Sequence, residues 1–370
     1  MGNSIFCGLI DSCSHGGWQR SGKRLVLKLS RSGGARKNNF VGNCSSPDAT
    51  RHEGIKTVAV ATHGISSSSN GCHFSSGSDL CVRIVTWNMN GQVNYKDLEE
   101  LVVGRDRRPE LIVIGLQEVP RKNILRLLQT ALNQTHMLLG KAIMQSLQLY
   151  VFGRRTSQIF IRELKTDEYA LAGCGWLIRR IKGAVAICIN YRGVRMIFIS
   201  CHLSAHARNV EERNSEWRRI SGSLFSKNRN PYARSAQVIV WLGDLNYRIH
   251  GMDTHPVRHL IHQDLHKLLT TNDQLLQEAE NGQIFNGYCE GALDFKPTYK
   301  YNVGTSNYDT SYKVRVPSWT DRILFKVADS DDIEATLHSY ESIDDINSSD
   351  HKPVKAHLCF KLKNSSSATK

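Results

Sequence analysis

The sequence predicts an α/β fold in which two packed sheets carry helices on their outer sides. Three observations lead there. From residue 81 onward, apolar runs of strand length follow one another closely; few helical stretches separate them; and several of the runs stop abruptly at Asp, Asn, Glu or His. A regular βαβ alternation would place a helix after nearly every strand.

Residues 81–88 read as the first strand of the domain, and 111–118 as a continuous apolar run suited to a strand covered on both faces. Further strands are expected at 147–152, 183–190, 195–202, 237–242, 322–327, 335–340 and 354–360. Helices are expected at 122–133, 210–225 and 256–270, the last because Val257, Leu260, Ile261, Leu265, Leu268 and Leu269 recur at helical spacing. There is no internal repeat and no break strong enough to divide this region, so one domain is expected over 81–362. Residues 1–80, rich in Ser, Gly, Asn and basic groups without sustained periodicity, read as a disordered extension, and 363–370 as a polar tail.

With 370 residues and 40% hydrophobic content, the chain is long enough for a large core, which excludes disorder throughout. Lys and Arg outnumber Asp and Glu by 48 to 34, a formal charge of +14 that favours polyanionic partners without choosing among nucleic acid, anionic lipid and phosphorylated small molecules. Ten scattered cysteines, with no C-x-x-C and no histidines at zinc-ligand spacing, read as reduced thiols of an intracellular protein without a structural zinc. No run approaches the ~20 apolar residues of a membrane span, and the apolar start lacks a basic flank, so the expected location is cytoplasmic, peripheral to the plasma membrane or endomembranes. The basic stretch 23–37 is either a contact for an anionic leaflet or a solvated tail. The start Met1-Gly2-Asn3-Ser4 is similar to an N-myristoylation site with Phe6 where Ser or Thr is usual, and Cys7 offers a palmitoylation position.

Four strand ends carry candidate ligands: Asn88 after Trp87, Glu118 after Gln117, His202, and Asp244 with Asn246. Each alone is compatible with an ordinary turn. Two later segments, Pro317-Ser318-Trp319-Thr320-Asp321-Arg322 and Ser349-Asp350-His351-Lys352-Pro353, sharpen the reading. A carboxylate beside a histidine and before a proline suits both a hard cation and a phosphoryl oxygen. Tyr299, Lys300, Lys313 and Arg315 can clamp a phosphate if they converge, or form a solvated hairpin face. Trp87, Trp241 and Trp319 are expected in the core; Arg248 approaches a substrate or makes a structural ion pair; Glu211, Glu212, Arg213 and Arg218 are expected on an exposed charged face.

In this order, Trp-Asn, Gln-Glu, His-Leu-Ser-Ala-His, Gly-Asp-Leu-Asn-Tyr-Arg, Pro-Ser-Trp-Thr-Asp-Arg and Ser-Asp-His-Lys-Pro-Val resemble the inositol polyphosphate 5-phosphatase family, over about residues 81–362, and its small plant members in particular. The resemblance implies a four-layer α/β/β/α sandwich of the endonuclease/exonuclease/phosphatase type. It implies Mg²⁺ held by Glu118, with Asn88 and Asp350 close to the metal and the scissile phosphate. Asp244 would orient or deprotonate the attacking water, Asn246 would donate to a phosphoryl oxygen, and Asp321 would set the tautomer of His351. His202 would contact the scissile phosphate or the leaving oxygen, with His206 the weaker choice of the two. Lys182 is retained from the family's pattern, and Tyr299, Lys300, Lys313 and Arg315 match positions that hold the 4-phosphate.

The implied reaction is Mg²⁺-dependent in-line hydrolysis of the 5-phosphate of phosphatidylinositol 4,5-bisphosphate and 3,4,5-trisphosphate, with soluble inositol polyphosphates as a further class. A monomer in contact with anionic membrane, without nucleic acid, is expected. Two departures stand out: Thr320 where cysteine is usual, and Arg180-Ile181-Lys182-Gly183 in place of Gly-Asn-Lys-Gly. The alternatives are a nuclease of the same fold and a catalytically silent phosphoinositide-binding adaptor.

Overall fold

The computed structural model describes residues 54–58, 79–102, 109–156, 160–171, 181–226, 235–328 and 333–362. The lipidation candidates at Gly2 and Cys7, the basic stretch 23–37, Arg180 and the tail 363–370 lie outside the described residues.

The strands are β1 (Lys56–Val58), β2 (Asp79–Asn88), β3 (Leu111–Gln117), β4 (His136–Met144), β5 (Leu147–Arg154), β6 (Ile161–Ala170), β7 (Gly183–Tyr191), β8 (Val194–His202), β9 (Val238–Asp244), β10 (Cys289–Gly291), β11 (Asp321–Val327), β12 (Ile333–Ser342) and β13 (Val354–Leu362). They form a seven-stranded sheet in the order β1-β10-β11-β9-β8-β7-β6 and a six-stranded sheet in the order β12-β13-β2-β3-β5-β4. Both are mixed, with parallel pairs at β8/β9 and β2/β3. The helices are α1 (Tyr95–Val102), α2 (Ile124–Leu132), α3 (Val210–Ser223), α4 (Thr254–His262) and α5 (Gln274–Glu280).

Strand alternation explains the layering. On β2 and β3, Val82, Ile84, Leu111 and Val113 face the seven-stranded sheet and meet Leu242 and Phe198 in the central core. Their neighbours Val85, Trp87, Ile112 and Ile114 face outward against Leu98 of α1 and Leu128 of α2. On the far side, Trp241 and Leu324 pack under Ile220 of α3 and Leu275 of α5. The result is the expected α/β/β/α sandwich, and the run 111–118 is apolar throughout because both of its faces are covered. Trp87, Trp241 and Trp319 are buried, as expected.

Several expectations need correction. β1 lies inside the stretch read as a disordered extension and pairs in parallel with β10 at the sheet's edge. The strands β4, β6 and β10 and the helices α1 and α5 were not anticipated; β6 is a half-exposed edge strand, Ile-Arg-Glu-Leu-Lys-Thr-Asp-Glu-Tyr-Ala, whose charges hide any alternation. The expected helix 256–270 stops at His262: Asp264 adopts φ 56°, a left-handed helix-ending conformation, and a 3-10 helix follows at His266–Asn272. Leu265 and Leu268 are consequently exposed at 44% and 59%, and their helical spacing is coincidental.

Arg213 is wholly buried instead of lying on an exposed face. It donates to the carbonyls of Ser204 and His206 and to Gln274 Oε1, and so ties the loop after β8 to α3 and α5. Glu211 and Arg218 are exposed, as expected, and lie 3.9 Å apart.

The cysteines are not all reduced. Cys81 of β2 and Cys359 of β13 stand opposite each other in register and are joined by a disulfide, with Cα atoms 4.0 Å apart. A separation of 278 residues carries no trace of this in the sequence, because register between strands creates the contact. Cys188, Cys201 and Cys289 are free thiols.

Arg322 anchors β11 beside the polar end of the sandwich. Its guanidinium donates to both carboxylate oxygens of Glu290, each at 2.6 Å, and to Asp273 at 2.9 Å, all of them buried. Breaking one side of such a pair strands the opposite charges in the interior. Arg322→Ala is therefore expected to cost about 3–5 kcal/mol of folding stability in urea denaturation. A loss below about 1 kcal/mol, the scale of an exposed pair, would contradict this account.

Candidate active site

Register brings the predicted residues to one edge of the sandwich. In the seven-stranded sheet His202 pairs with both Gly183 and Asp244, and Asp244 pairs with Asp321, so four strand ends lie side by side. In the six-stranded sheet Asn88 pairs with Gln117, and Val354, three residues after His351, pairs with Thr86. A cleft of about 90 Å³ is bordered by Asn88, Glu118, Lys182, His202, Asp244, Asn246, Asp350 and His351, together with Arg248 and Tyr299.

Local conformation aims these side chains. Glu118 has φ 51° directly after β3, and Asn246 has φ 58° after β9; both are left-handed turns at the sheet edge. Asn88 Nδ2 donates to Asp244 Oδ2 at 2.9 Å, joining the two sheets across the cleft. Gln117 strengthens that junction by donating to Thr86 on its own sheet and to Ser200 on the other. His351 is held on three sides: Trp87 Nε1 donates to its carbonyl, Ser349 Oγ accepts from its amide, and its Nδ1 lies 2.9 Å from Asp321 Oδ2. The same Asp321 oxygen accepts from Thr298 and Thr320, so the threonine that departs from the family's cysteine adds a donor to the carboxylate.

The electrostatics follow from burial and these neighbours. Burial alone would raise the Asp244 carboxyl, but His202, His351 and Lys182 hold it well below the usual carboxylate range. Burial, aided by Lys182, lowers His202 to about 4, and burial lowers Lys182 to about 8 against the pull of Asp244. His351 moves the other way: burial opposes its charge, yet the contacts with Asp321 and Asp244 raise it to about 10. At neutral pH His202 is neutral and His351 is an imidazolium. Asp321, 2.9 Å from Nδ1, both orients the His351 ring and favours its charged form.

Beside the cleft lies a groove of about 330 Å³ lined by His206, Arg248, Tyr299, Lys313, Val314 and Arg315 among others. Tyr299 and Arg248 border both spaces. The Arg248 guanidinium sits 4.3 Å from the Tyr299 ring centroid, and that ring lies 4.5 Å from the His351 ring. Arg248 also donates to the backbone and side-chain oxygens of Asn246, contacts that the sequence did not disclose. Lys300, expected beside these cations, is not among the residues lining the groove; its Nζ lies 3.8 Å from Asp350 Oδ2, at the border of the cleft. A larger groove of about 670 Å³ shares Asn90 and Glu118 with the cleft and carries Arg121 and Lys122.

The set suits a hard divalent cation. Glu118, Asn88 and Asp350 present oxygen donors around one cleft, as a cation that keeps several waters requires. Asp244, Asp321 and His351 also come within 4.8 Å of one another, but the bond from His351 to Asp321 makes them a hydrogen-bonded relay and not a cage.

Comparison with known proteins agrees with this geometry. The model of endonuclease/exonuclease/phosphatase family 2 matches residues 85–357. Type IV inositol polyphosphate 5-phosphatase 11 of Arabidopsis thaliana is 57% identical over 86% of this chain and 91% of its own length. The chain belongs to the inositol polyphosphate 5-phosphatase family. This 5-phosphatase family member is also 33% identical to the rat phosphatidylinositol 4,5-bisphosphate 5-phosphatase A over 87% of the chain, although it spans only 35% of that relative's length. Among solved structures, the 5-phosphatase domain of SPsynaptojanin in complex with inositol (1,4)-bisphosphate and calcium ion superposes with a TM-score of 0.66 at 29% identity, covering 77% of this chain and 86% of that one. Cimex nitrophorin in its ferrous NO complex shares the fold at 23% identity and a TM-score of 0.63, covering 77% of this chain and 99% of its own.

Gly243 sets the approach of Asp244. Its φ is 144°, and a Cβ there would stand 2.0 Å from the carbonyl oxygen of Cys201. Gly243→Ala is expected to lower stability by at least about 1–3 kcal/mol and to depress turnover with it. Thermal melts and phosphate-release assays check this, and a variant of unchanged melting temperature and rate would contradict it.

Proposed function

We propose that this chain hydrolyses the 5-phosphate of phosphoinositides, with Mg²⁺ as its divalent cation. The observation that carries the proposal is the adjoining of two spaces: a cleft holding Asp244, Asn246 and His351, and a cationic groove holding Lys313 and Arg315, with Tyr299 and Arg248 shared between them. A ring phosphorylated at neighbouring positions fits such a pair. The names of the relatives, among them phosphatidylinositol 4,5-bisphosphate 5-phosphatases, support the same substrate class. Phosphatidylinositol 4,5-bisphosphate and 3,4,5-trisphosphate are the proposed substrates, with soluble inositol polyphosphates as a further class.

Glu118, with Asn88 and Asp350 beside it, would hold Mg²⁺, which neutralises phosphoryl charge and acidifies bound water. Asp244 accepts a hydrogen bond from the attacking water and aims it; its strongly depressed basicity favours orientation over full deprotonation. The His351 imidazolium, steadied by Asp321, stabilises charge growing on the phosphoryl oxygens. Asn246 uses one amide hydrogen on the carbonyl of Leu203 and offers the other to the phosphate. Neutral His202, beside Lys182 and 3.2 Å from Asp244, contacts the opposite side of the phosphate. The water oxygen bonds to phosphorus in line as the bond to the inositol oxygen breaks; in balance, one of the water's protons ends on that oxygen and the other leaves with the released phosphate, and no covalent enzyme intermediate forms.

The mouth of the cationic groove also fits a membrane surface. Tyr312 is 89% exposed and Val314 41% exposed, on either side of Lys313. An aromatic and an aliphatic side chain interleaved with Lys313 and Arg315 suit an anionic leaflet, which supports the reading that the reaction takes place at the cytoplasmic face of the plasma membrane or endomembranes.

Asp244→Asn is expected to lower kcat by about 10²–10⁴ with little change in KM. Lys313→Ala and Arg315→Ala should each raise KM about tenfold on 4,5-bisphosphorylated substrates, the scale of one charged hydrogen bond, and have no effect on a substrate lacking the 4-phosphate. Equal losses on both substrates would remove the 4-phosphate assignment. Chelator should abolish phosphate release and Mg²⁺ restore it; a chelated protein that stays active would refute the metal requirement.

A further inference from the structure

At the other end of β2 and β13 from the catalytic cleft, three metal-ligating side chains converge on the outer face of the six-stranded sheet, with a fourth beside them. Cys81 and Cys359 are register partners, and His357 lies two residues from Cys359, on the same face of the same strand. The two sulfurs and a His357 ring nitrogen all lie within 4.8 Å of one another. The fourth residue arrives through an irregularity: the β12/β13 ladder slips between Leu337 and Ser339, leaving His338 as an extra residue opposite His357. A bulge re-aims a side chain. Here the His338 and His357 rings meet edge to face with centroids 5.7 Å apart.

We propose that, with the cysteines reduced, Cys81, Cys359, His357 and His338 bind one thiophilic divalent ion of the zinc class. Two thiolates and two imidazoles are the donor set of tetrahedral structural zinc sites. Metal–ligand bonds of about 2.0–2.3 Å require donor atoms roughly 3.3–3.8 Å apart; the two sulfurs and the His357 nitrogen already lie within 4.8 Å of one another, and His338 completes the set by turning toward them. A disulfide alone needs no imidazole beside it, whereas this one has two, the second delivered by a bulge. Arg83, the register partner of His357, donates to the carbonyl of Val102 at 3.0 Å, and its positive charge on this face favours thiolate over thiol.

The chemistry balances. A phosphine or thiol reductant supplies two electrons to the Cys81–Cys359 bond and gives two thiols; metal binding forms two metal–sulfur bonds and releases their two protons. The oxidised pair and the metal-bound pair are thus alternative states of one site. The distance along β2 from Cys81 to Asn88, about 20 Å, separates it from the hydrolytic cleft.

Spectroscopic titration of the full-length protein with Co²⁺, under anaerobic conditions after phosphine reduction, tests the proposal. The expected result is a thiolate-to-cobalt charge-transfer band with the visible bands of a tetrahedral ion, saturating at one Co²⁺ per chain and bleached by Zn²⁺. Co²⁺ bound at oxygen ligands of the catalytic cleft gives no thiolate band. Cys81→Ser should abolish the band. His338→Ala, which alters a partly exposed strand residue and leaves the buried cysteines intact, should weaken Co²⁺ binding about tenfold or more while Mg²⁺-supported hydrolysis is unchanged. A reduced, folded protein without the band, a band that survives Cys81→Ser, or a disulfide that resists reduction in the folded chain would each overturn the proposal.

Discussion

Asp244 is a carboxylate in a place from which water is almost excluded, and a buried charge of this kind is tolerated only when its neighbours compensate for lost hydration. Those neighbours come from every part of the chain. Asn88 reaches it from the six-stranded sheet, His202 from the adjacent strand, Lys182 from the strand beyond, and His351 from the loop before β13. Each of these groups is in turn fixed by a further partner, as Asp321 fixes His351 and Trp87 holds the backbone behind it. The strand register, the left-handed turns at Glu118 and Asn246 and the glycine before Asp244 are all conditions for assembling this one arrangement.

Much of that arrangement was legible in the sequence. A strand announces itself by an apolar run, and a site residue at its end by an abrupt polar stop, so β2, β3, β8 and β9 and their terminal ligands could be read together. What could not be read depends on contacts between distant segments. Arg213 looks like a surface arginine until the carbonyls of Ser204 and His206 appear beside it. Lys300 looks like a groove cation until its approach to Asp350, fifty residues away in sequence, is seen. Cys81 and Cys359 meet only because two strands happen to align. Edge strand β6, charged along its length, and the short helices α1 and α5 left no strong periodic signal.

The fold by itself does not specify this chemistry. Cimex nitrophorin, in a ferrous NO complex, has the same sandwich with a comparable TM-score. What distinguishes the present chain is the set of side chains carried on the strand ends, together with the cationic groove beside them. The Arg248, Tyr299 and His351 stack joins these two features physically: a guanidinium at the groove lies over the phenol, and the phenol lies against the imidazolium of the cleft. The side chains that border the groove and those that border the reacting centre are therefore in direct contact.

Gln117 and Gly115 lie where the two sheets are in close contact. Gln117 reaches across to Ser200, and at Gly115 even a methyl group would press within 2.7 Å of Leu242 and Ser200. Because half of the polar ensemble rides on each sheet, the ensemble exists only while this seam is shut. A chain whose sheets were individually intact but parted by a few ångströms would keep its strand content and possess no working centre. Turnover in this architecture therefore senses cohesion between layers, a property that measures of secondary structure do not see.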